Sequence, residues 1–280
     1  MEEHRRNKIQ CSTMNNLVIG SEGFIGKSFC HFLESQGESV THFDIKRDGE
    51  KEDARYATIS MADVDRVYFL AWDVGGAKYL YKEDAQLNQL DWNLKLLHNV
   101  MRQLQESKKP FLFISTQLAE EYDTVYGATK RLGEIWTRLL NGVFIRQWNV
   151  YGPLEEHSIK SHVMSDFVHQ ALTTGEIHML TDGQEVRQFI HIDDVCEAWH
   201  LALSRDLKGI HDVTSFEWIK IIDIANKIAS ITGAKVIPGE KSGSTPLTPM
   251  SGKISGWSPK VGIDEGIKRM VKEAEAILRK

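Results

Sequence analysis

From Asn16 onward, short apolar runs alternate with longer stretches in which apolar residues recur every three or four positions. Runs of the first kind suit strands buried on both faces, and stretches of the second kind suit helices laid over them. Leu17-Val18-Ile19 reads as a first strand, Lys27 to Gln36 as a helix stopped by Gly37, and Val40 to Phe43 as a second strand. Further strands are expected at Val67 to Ala71, Phe111 to Ser115 and Val143 to Arg146. Between them, Leu87, Leu90, Leu94, Leu97, Met101 and Leu104 make one apolar stripe of a long crossover helix, and another helix is expected from about Tyr126 to Leu140. Such alternation predicts an α/β fold built on a doubly wound parallel sheet.

After Pro153 the pattern changes, with longer loops and more His, Asp and Gly. A helix is expected over Ile219 to Ile231, with Ile221, Ile224, Ala225 and Ile228 on its apolar face and Gly233 after it. A last helix is expected to start with Asp264 as N-cap and to bury Ile267, Met270, Val271 and Ala274. The organisation expected is a tail over 1–14, a sheet domain over 15–153 to which the chain returns around 185–205, and a smaller α/β lobe over 154–280. No internal repeat is visible.

Composition narrows the classes. At 280 residues, 41% hydrophobic and 26% charged, the chain can bury a sizeable core, which excludes collagen-like, coiled-coil, disulfide-scaffold and wholly disordered readings. With 34 Lys+Arg against 39 Asp+Glu there is no basic footprint for a phosphate backbone, so nucleic acid is not an expected partner. Cys11, Cys30 and Cys196 are odd in number and scattered, which suits a reducing compartment, the cytoplasm by default. No window approaches the roughly 18 apolar residues of a membrane span, and residues 1–14 lack the apolar core of a signal peptide. The eleven histidines show no metal-ligand spacing, so no metal is expected.

The segment Gly20-Ser21-Glu22-Gly23-Phe24-Ile25-Gly26-Lys27-Ser28 admits two readings. Its Gly-Lys-Ser ending suits a P-loop, but that motif needs glycine where Ser21 stands. The spacing Gly20, Gly23, Gly26 between a strand and a helix instead suits a dinucleotide-binding turn, where small residues admit a pyrophosphate to the helix N-terminus. Asp44, eighteen residues past Gly26 at the end of the next strand, can accept the ribose hydroxyls of NAD. The same carboxylate would repel the 2′-phosphate of NADP. Ile45 and Lys46 adjoin the ribose position, and the cations Lys46 and Arg47 keep NADP open as the less favoured cofactor. These features specify a Rossmann-type domain.

Tyr126 and Lys130 stand four apart and so share one face of the expected helix. An ammonium beside a phenol favours the phenolate, which equips Tyr126 as a general base. Ser115 and Thr116 come at the C-terminal end of the preceding strand, where ligands sit in open parallel sheets. Asp193 and Asp194 resemble a metal or acid/base pair, but capping of the following helix is the preferred reading.

Taken in order, the chain resembles the extended short-chain dehydrogenase/reductases that act on nucleotide sugars as epimerases, dehydratases and reductases. The matching residues are Gly20-x-x-Gly23-x-x-Gly26, Asp44, Leu70-Ala71, Asn93, Ser115-Thr116, Tyr126-x-x-x-Lys130, Asn149-Val150-Tyr151-Gly152-Pro153, Gly183-Gln184-x-x-Arg187-x-Phe189-Ile190-His191-Ile192-Asp193-Asp194 and Gly256-Trp257-x-Pro259. The resemblance implies a smaller C-terminal substrate-binding lobe, a nucleotide-sugar substrate and a homodimer formed through the crossover and Tyr-Lys helices. It implies that Phe24 and Ile25 line the pyrophosphate turn and that Leu70, Ala71, Trp72, Asn93 and Ser115 run beside the cofactor. Tyr126 would be the acid/base, and Lys130 both its partner and a ribose ligand. Thr116 would orient the sugar, Trp148 lie near the nicotinamide, and Asn149 and Arg187 hold the diphosphate.

The resemblance also implies oxidation at the sugar C4 hydroxyl to a 4-keto species. Family 4,6-dehydratases carry an acidic pair directly after the strand-end Thr, and here those places are Gln117 and Leu118, which counts against dehydration. Val74-Gly75-Gly76 is similar to the GDP-sugar epimerases and GDP-fucose synthases, which makes Gly75 and Gly76 substrate-side candidates and hints at a GDP-sugar. Their strand-end cysteine is replaced here by Gln117. The expected reaction is therefore 4-epimerisation or net oxidation or reduction at C4. The alternatives are a 4,6-dehydratase, a non-catalytic NAD-binding regulator and, last, a P-loop protein. Little chain lies between Asp44 and Val67, where relatives place an adenine-holding acidic residue, leaving only Ile59 and Ser60 as candidates. Only ten steps separate Thr116 from Tyr126, which predicts an open site.

Overall fold

The structure, a computed structural model, describes residues 13–245, 250 and 252–278. Most of the expected tail, with Cys11, lies outside them. The chain runs β1 (Asn15–Ile19), α1 (Phe24–Ser35), β2 (Ser39–Phe43), α2 (Ile45–Asp48), β3 (Arg66–Phe69), α3 (Ala77–Leu80), α4 (Glu83–Ser107), β4 (Phe111–Thr116), α5 (Val125–Leu139) and β5 (Val143–Gln147). It continues through β6 (Asn149–Tyr151), α6 (Val163–Thr173), β7 (Glu176–His178), β8 (Val186–His191), α7 (Ile192–Ser204), β9 (Asp212–Val213), β10 (Trp218–Lys220), α8 (Ile221–Thr232), β11 (Lys235–Ile237) and α9 (Ile263–Leu278).

Six strands form one parallel sheet in the order β2-β1-β3-β4-β5-β9. Because successive strand residues face opposite sides, each apolar run feeds two cores. Val18, Tyr68, Leu112 and Ile114 meet Phe29, Leu33, Val195, Trp199 and Leu203 of α1 and α7. Leu17, Ile19, Val67, Phe69, Phe111 and Phe113 meet Leu97, Val100, Met101 and Leu104 of α4. The chain leaves β1 toward β2 on one side and returns to β3 on the other, which opens a crevice at the C-terminal ends of β1 and β3. The glycine turn sits there.

A second lobe has its own core. Phe167, Val168, Ile224, Ile228, Ile267 and Met270 from α6, α8 and α9 pack around Tyr151 and Phe189. Its strands pair as β10-β8-β6 and as β11-β7, while α7 and β9 carry the chain back to the main sheet.

Several local expectations are corrected. Helix α1 starts at Phe24, before Lys27, and residues 218–220 form a strand ahead of α8. On α4, Leu87 is 75% exposed and Leu94 is also exposed, whereas Gln89 and Asn93 are buried. This half of the helix runs beyond the sheet and meets the loop after β3, whose backbone needs polar partners: Gln89 donates to the Tyr79 carbonyl, and Asn93 pairs with Asp73. Asp264 is not the cap of α9 but its second residue, pairing with Lys227 at 2.6 Å. Asp193 and Asp194 do not cap α7. His191 accepts the Asp193 N–H there, and the Asp194 carboxylate accepts the N–H groups of Lys260 and Val261, pinning the approach to α9. Among the described residues no cluster suited to a metal ion is present.

Candidate active site

The glycine turn is built by close approach. Gly20 has φ +97°, and a Cβ there would lie 2.6 Å from the Ala71 amide nitrogen, so the ends of β1 and β3 touch. A Cβ at Gly26 would lie 2.0 Å from the Gly20 carbonyl oxygen, which keeps the first turn of α1 against the loop. Gly23 precedes α1 without a side-chain cap, so the first N–H groups of this helix, with Phe24 and Ile25 among them, can meet an anion. Asp44 ties the turn to β2, accepting from the Glu22 N–H at 2.9 Å and from the Lys46 N–H at 2.9 Å. Ile45 and Lys46 are exposed beside it. The Arg47 guanidinium lies 3.4 Å from Glu22 and 3.7 Å from Glu52, so two carboxylates already answer its charge. A 2′-phosphate would have to compete with them, and a ribose diol would not.

Sequence reasoning missed Asp53, which lay inside a charged, turn-like stretch. It is buried and held by Arg55 at 2.7 to 3.2 Å, which keeps its carboxyl below the usual range. Its neighbour Glu52 accepts the Asp44 N–H at 2.8 Å, so Asp53 follows directly on the residue bonded to the end of β2. Ile59, by contrast, is part of the core under α4, and Ser60 is exposed.

Leu70 and Ala71 both donate backbone N–H groups to the Ile19 carbonyl and lie against the turn. Beyond Trp72, Asn93 clamps the backbone of Asp73, accepting its N–H at 2.8 Å and donating to its carbonyl at 3.0 Å. These two bonds tie the Asn93 amide to the loop after β3. Gly75 and Gly76 serve a similar end: Cβ atoms there would lie 2.9 Å from Lys160 and 2.3 Å from the Ser161 carbonyl. Their backbone is covered by the 158–161 turn of the second lobe, and Lys160 pairs with Asp73 at 2.6 Å across the same junction. Loop packing accounts for these glycines.

Thr116, the last residue of β4, caps a short 3-10 turn over Gln117–Glu120, accepting the Leu118 N–H and donating to Gln117 Oε1. This turn closes the ten-step gap to Tyr126. It fits because Gly127 has no side chain: a Cβ would lie 2.1 Å from the Glu121 carbonyl and 2.5 Å from that of Leu118. Thr124 then caps α5 through the Gly127 N–H, and Tyr126 and Lys130 follow one turn apart. Shielding from water pushes the Tyr126 phenol up to about 12, with the nearby Thr116 hydroxyl acting in the opposite direction. Burial pulls the Lys130 ammonium well below its ordinary value, against the attraction of Glu134.

Ser115 donates its hydroxyl to Glu134 at 2.7 Å, which joins it to a buried network. Glu134 also accepts two bonds from Arg146, at 2.8 and 2.9 Å, and one from Arg131 at 2.9 Å. The network locks α5 to β4 and β5.

Across the cleft, Trp148 donates its indole N–H to Asp212 at 2.9 Å. Trp218, which no sequence motif singles out, meets Trp148 edge-on at 5.6 Å and is half exposed. Asn149 donates to the Gln188 carbonyl. Arg187 bonds only to the carbonyls of Val186 and Ser244 among the described groups. Its guanidinium is desolvated, with Glu185, Tyr81 and Glu121 within electrostatic reach.

A parallel sheet with a glycine-lined crevice, a carboxylate at the end of its second strand and a Tyr-Lys pair beside a strand-end hydroxyl suits an enzyme that works on a bound dinucleotide. The model of the NAD dependent epimerase/dehydratase family matches residues 16–213, and the chain belongs to that family. It is thereby an NAD-dependent enzyme of the nucleotide-sugar epimerase and dehydratase class, of the extended short-chain dehydrogenase/reductase type. It is 23% identical over 316 aligned positions to UDP-N-acetyl-alpha-D-glucosaminuronate decarboxylase of Bacillus cytotoxicus, covering 91% of this chain and 96% of that protein. An NAD-dependent NDP-hexosamine 5,6-dehydratase of tunicamycin biosynthesis has a similar structure, with TM-score 0.79, 20% identity and coverage of 94% of this chain and 98% of the other. UDP-glucose 4-epimerase of Thermotoga maritima with UDP-glucose gives TM-score 0.73, 23% identity and coverage of 95% and 100%. Among the described residues no helix is long and apolar enough to cross a membrane.

Proposed function

We propose that this protein acts at C4 of a nucleotide-linked sugar through a 4-keto species, as a 4-epimerase or as a C4 dehydrogenase or reductase. The observation that carries the reading is the Thr116, Tyr126 and Lys130 set at the end of β4, followed by Gln117 and Leu118 in place of an acidic pair. Tyr126 takes the proton of the C4 hydroxyl, and the charged Lys130 favours the phenolate this requires. NAD, when bound, supplies the hydride acceptor at C4. Thr116 orients the sugar oxygen. Elimination across C5 and C6 would need a further acid and base at the strand end. Gln117 and Leu118 provide neither, and Gln117 is already bonded to Thr116.

The cradle of Gly20 and Gly26 and the uncapped start of α1 fit a pyrophosphate, and Asp44 fits the adenosine ribose. Asp53 is our assignment for the adenine edge, because it is a buried carboxylate adjoining that ribose position. Arg187, bonded only to carbonyls among the described groups, suits the sugar diphosphate. The packing explanation for Gly75 and Gly76 weakens the argument for a GDP-sugar, so UDP-sugars come first. A homodimer through α4 and α5 is supported by the apolar residues they expose, Leu87, Leu94, Leu132, Ile135 and Leu139. Leu139→Asp should halve the mass measured by light scattering, and an unchanged mass would contradict that face.

The reading is tested by incubating the protein with UDP-, GDP-, dTDP- and CDP-sugars while following NADH absorbance and product configuration. Conversion confined to C4, lost in Tyr126→Phe, supports it. Release of a 6-deoxy-4-keto sugar would contradict it.

A further inference from the structure

Lys130 is 5% exposed, and its Nζ donates to the Ile114 carbonyl at 2.6 Å. One neutral acceptor leaves a buried ammonium poorly compensated. No carboxylate bonds to it among the described residues. Glu134, one turn along α5, is the acidic group acting on it, yet both Glu134 oxygens are engaged by Ser115, Arg131 and Arg146. Arg146 is held in addition by Glu120. On the other side, Asp73 is next in sequence to Trp72 but is committed to Lys160 and Tyr79. What meets the ammonium is an aromatic face: Nζ lies 4.0 Å from the ring centre of Trp72 and 5.0 Å from that of Phe113. Trp72 is itself fixed, edge-on to Phe113 at 5.6 Å and 6.1 Å from Phe69. Its indole nitrogen is buried without a hydrogen-bond partner among the described groups, so packing and the cation hold the ring.

We propose that Trp72 is a positioning residue of the Tyr126–Lys130 pair, its indole face standing in for a carboxylate counter-ion so that the ammonium stays charged and in place. The choice of a π face has a chemical consequence. A carboxylate paired with Lys130 would cancel most of its positive charge, whereas the indole carries no net charge and leaves that charge available to the pair. A desolvated cation–π contact of this kind corresponds to a shift of about one pH unit in the titration of the ammonium. The proposal rests on Tyr126 and Lys130 working as a pair, and it adds the residue that makes the pair usable in a buried site.

The test is carbon-13 NMR of the full-length protein, loaded with NAD and labelled at lysine Cε, with the Lys130 resonance identified by its loss in Lys130→Arg. The resonance should be shifted upfield by the indole ring current. In Trp72→Leu the ring-current shift should vanish and the Lys130 midpoint should fall by about one pH unit. In Trp72→Phe, which keeps a weaker π face, the midpoint should fall part of the way. An unchanged midpoint in Trp72→Leu would overturn the proposal. If that variant does not fold, Trp72→Phe decides: a partial fall supports the proposal, and a wild-type midpoint overturns it. Failure of the Tyr126 reading is distinguishable, because Tyr126→Phe would then keep turnover whatever the Lys130 midpoint does.

Discussion

Glu134 should be among the least replaceable residues of the sheet domain, although it is placed on no reacting group. Its carboxylate accepts four hydrogen bonds, from Ser115, from Arg131 and twice from Arg146. The Glu134 and Arg146 side chains are 3% and 1% exposed. In Glu134→Leu the guanidinium loses its buried carboxylate, and Glu120, which meets its Nη1, is a carboxylate 36% exposed. Removing one member of a buried ion pair costs about 3–5 kcal/mol, since the other charge is left in a medium that solvates it poorly. Partial rescue by Glu120 places the expected loss near the lower figure, about 3 kcal/mol. That is a large share of the roughly 5–15 kcal/mol that holds a typical domain. Urea unfolding should show a lower midpoint at unchanged slope. The double variant Glu134→Leu/Arg146→Leu should recover part of the loss, because the buried guanidinium then goes with its buried carboxylate. A Glu134→Leu variant within about 1 kcal/mol of wild type, or a double variant as unstable as the two losses summed, would refute the reasoning.

Two further outcomes follow from the geometry. Gly26→Ala places a Cβ 2.0 Å from the Gly20 carbonyl, a backbone atom that has no room to yield. It should abolish the rise in melting temperature that NAD gives the wild type, and Mg-ATP should stabilise neither protein; stabilisation by Mg-ATP would restore the P-loop reading. Stability should fall at high pH. Burial raises the phenols of Tyr68, Tyr126 and Tyr151 in the fold, Tyr126 to about 12, above the ordinary value of 10.0. The folded state therefore holds these protons more tightly than the unfolded chain. Their contribution is intact below about pH 10 and is lost as pH rises toward 12. A melting temperature constant from pH 9 to 12 would contradict it.

The sheet was legible because its strands are unbroken apolar runs, and Leu17, Val18 and Ile19 need no partner to declare that both their faces are buried. The glycine spacing, Asp44 and the Tyr-Lys step were legible for a related reason: each is a local pattern. What escaped depends on partners distant in sequence. Leu87 and Leu94 continue a perfect helical stripe, but the sheet ends before it reaches them and Asp73 draws Asn93 inward instead. The 158–161 turn that lies on Gly75 and Gly76 is about 85 positions away, and no local pattern announces it. Asp53 was hidden in a charged run, and the meetings of Trp72 with Lys130 and of Trp148 with Trp218 join residues 58 and 70 positions apart. No periodicity records such encounters.

In the proposed reaction Tyr126 moves the proton of a sugar C4 hydroxyl. The most direct measurement is single-turnover oxidation of a converted nucleotide sugar by wild type and Tyr126→Phe, with NADH absorbance read against pH. The wild-type rate should rise with pH as the phenolate forms, and the Tyr126→Phe rate should be lower by about 10²–10⁴-fold, the usual weight of a general base. A Tyr126→Phe variant that reduced NAD at the wild-type rate would contradict it.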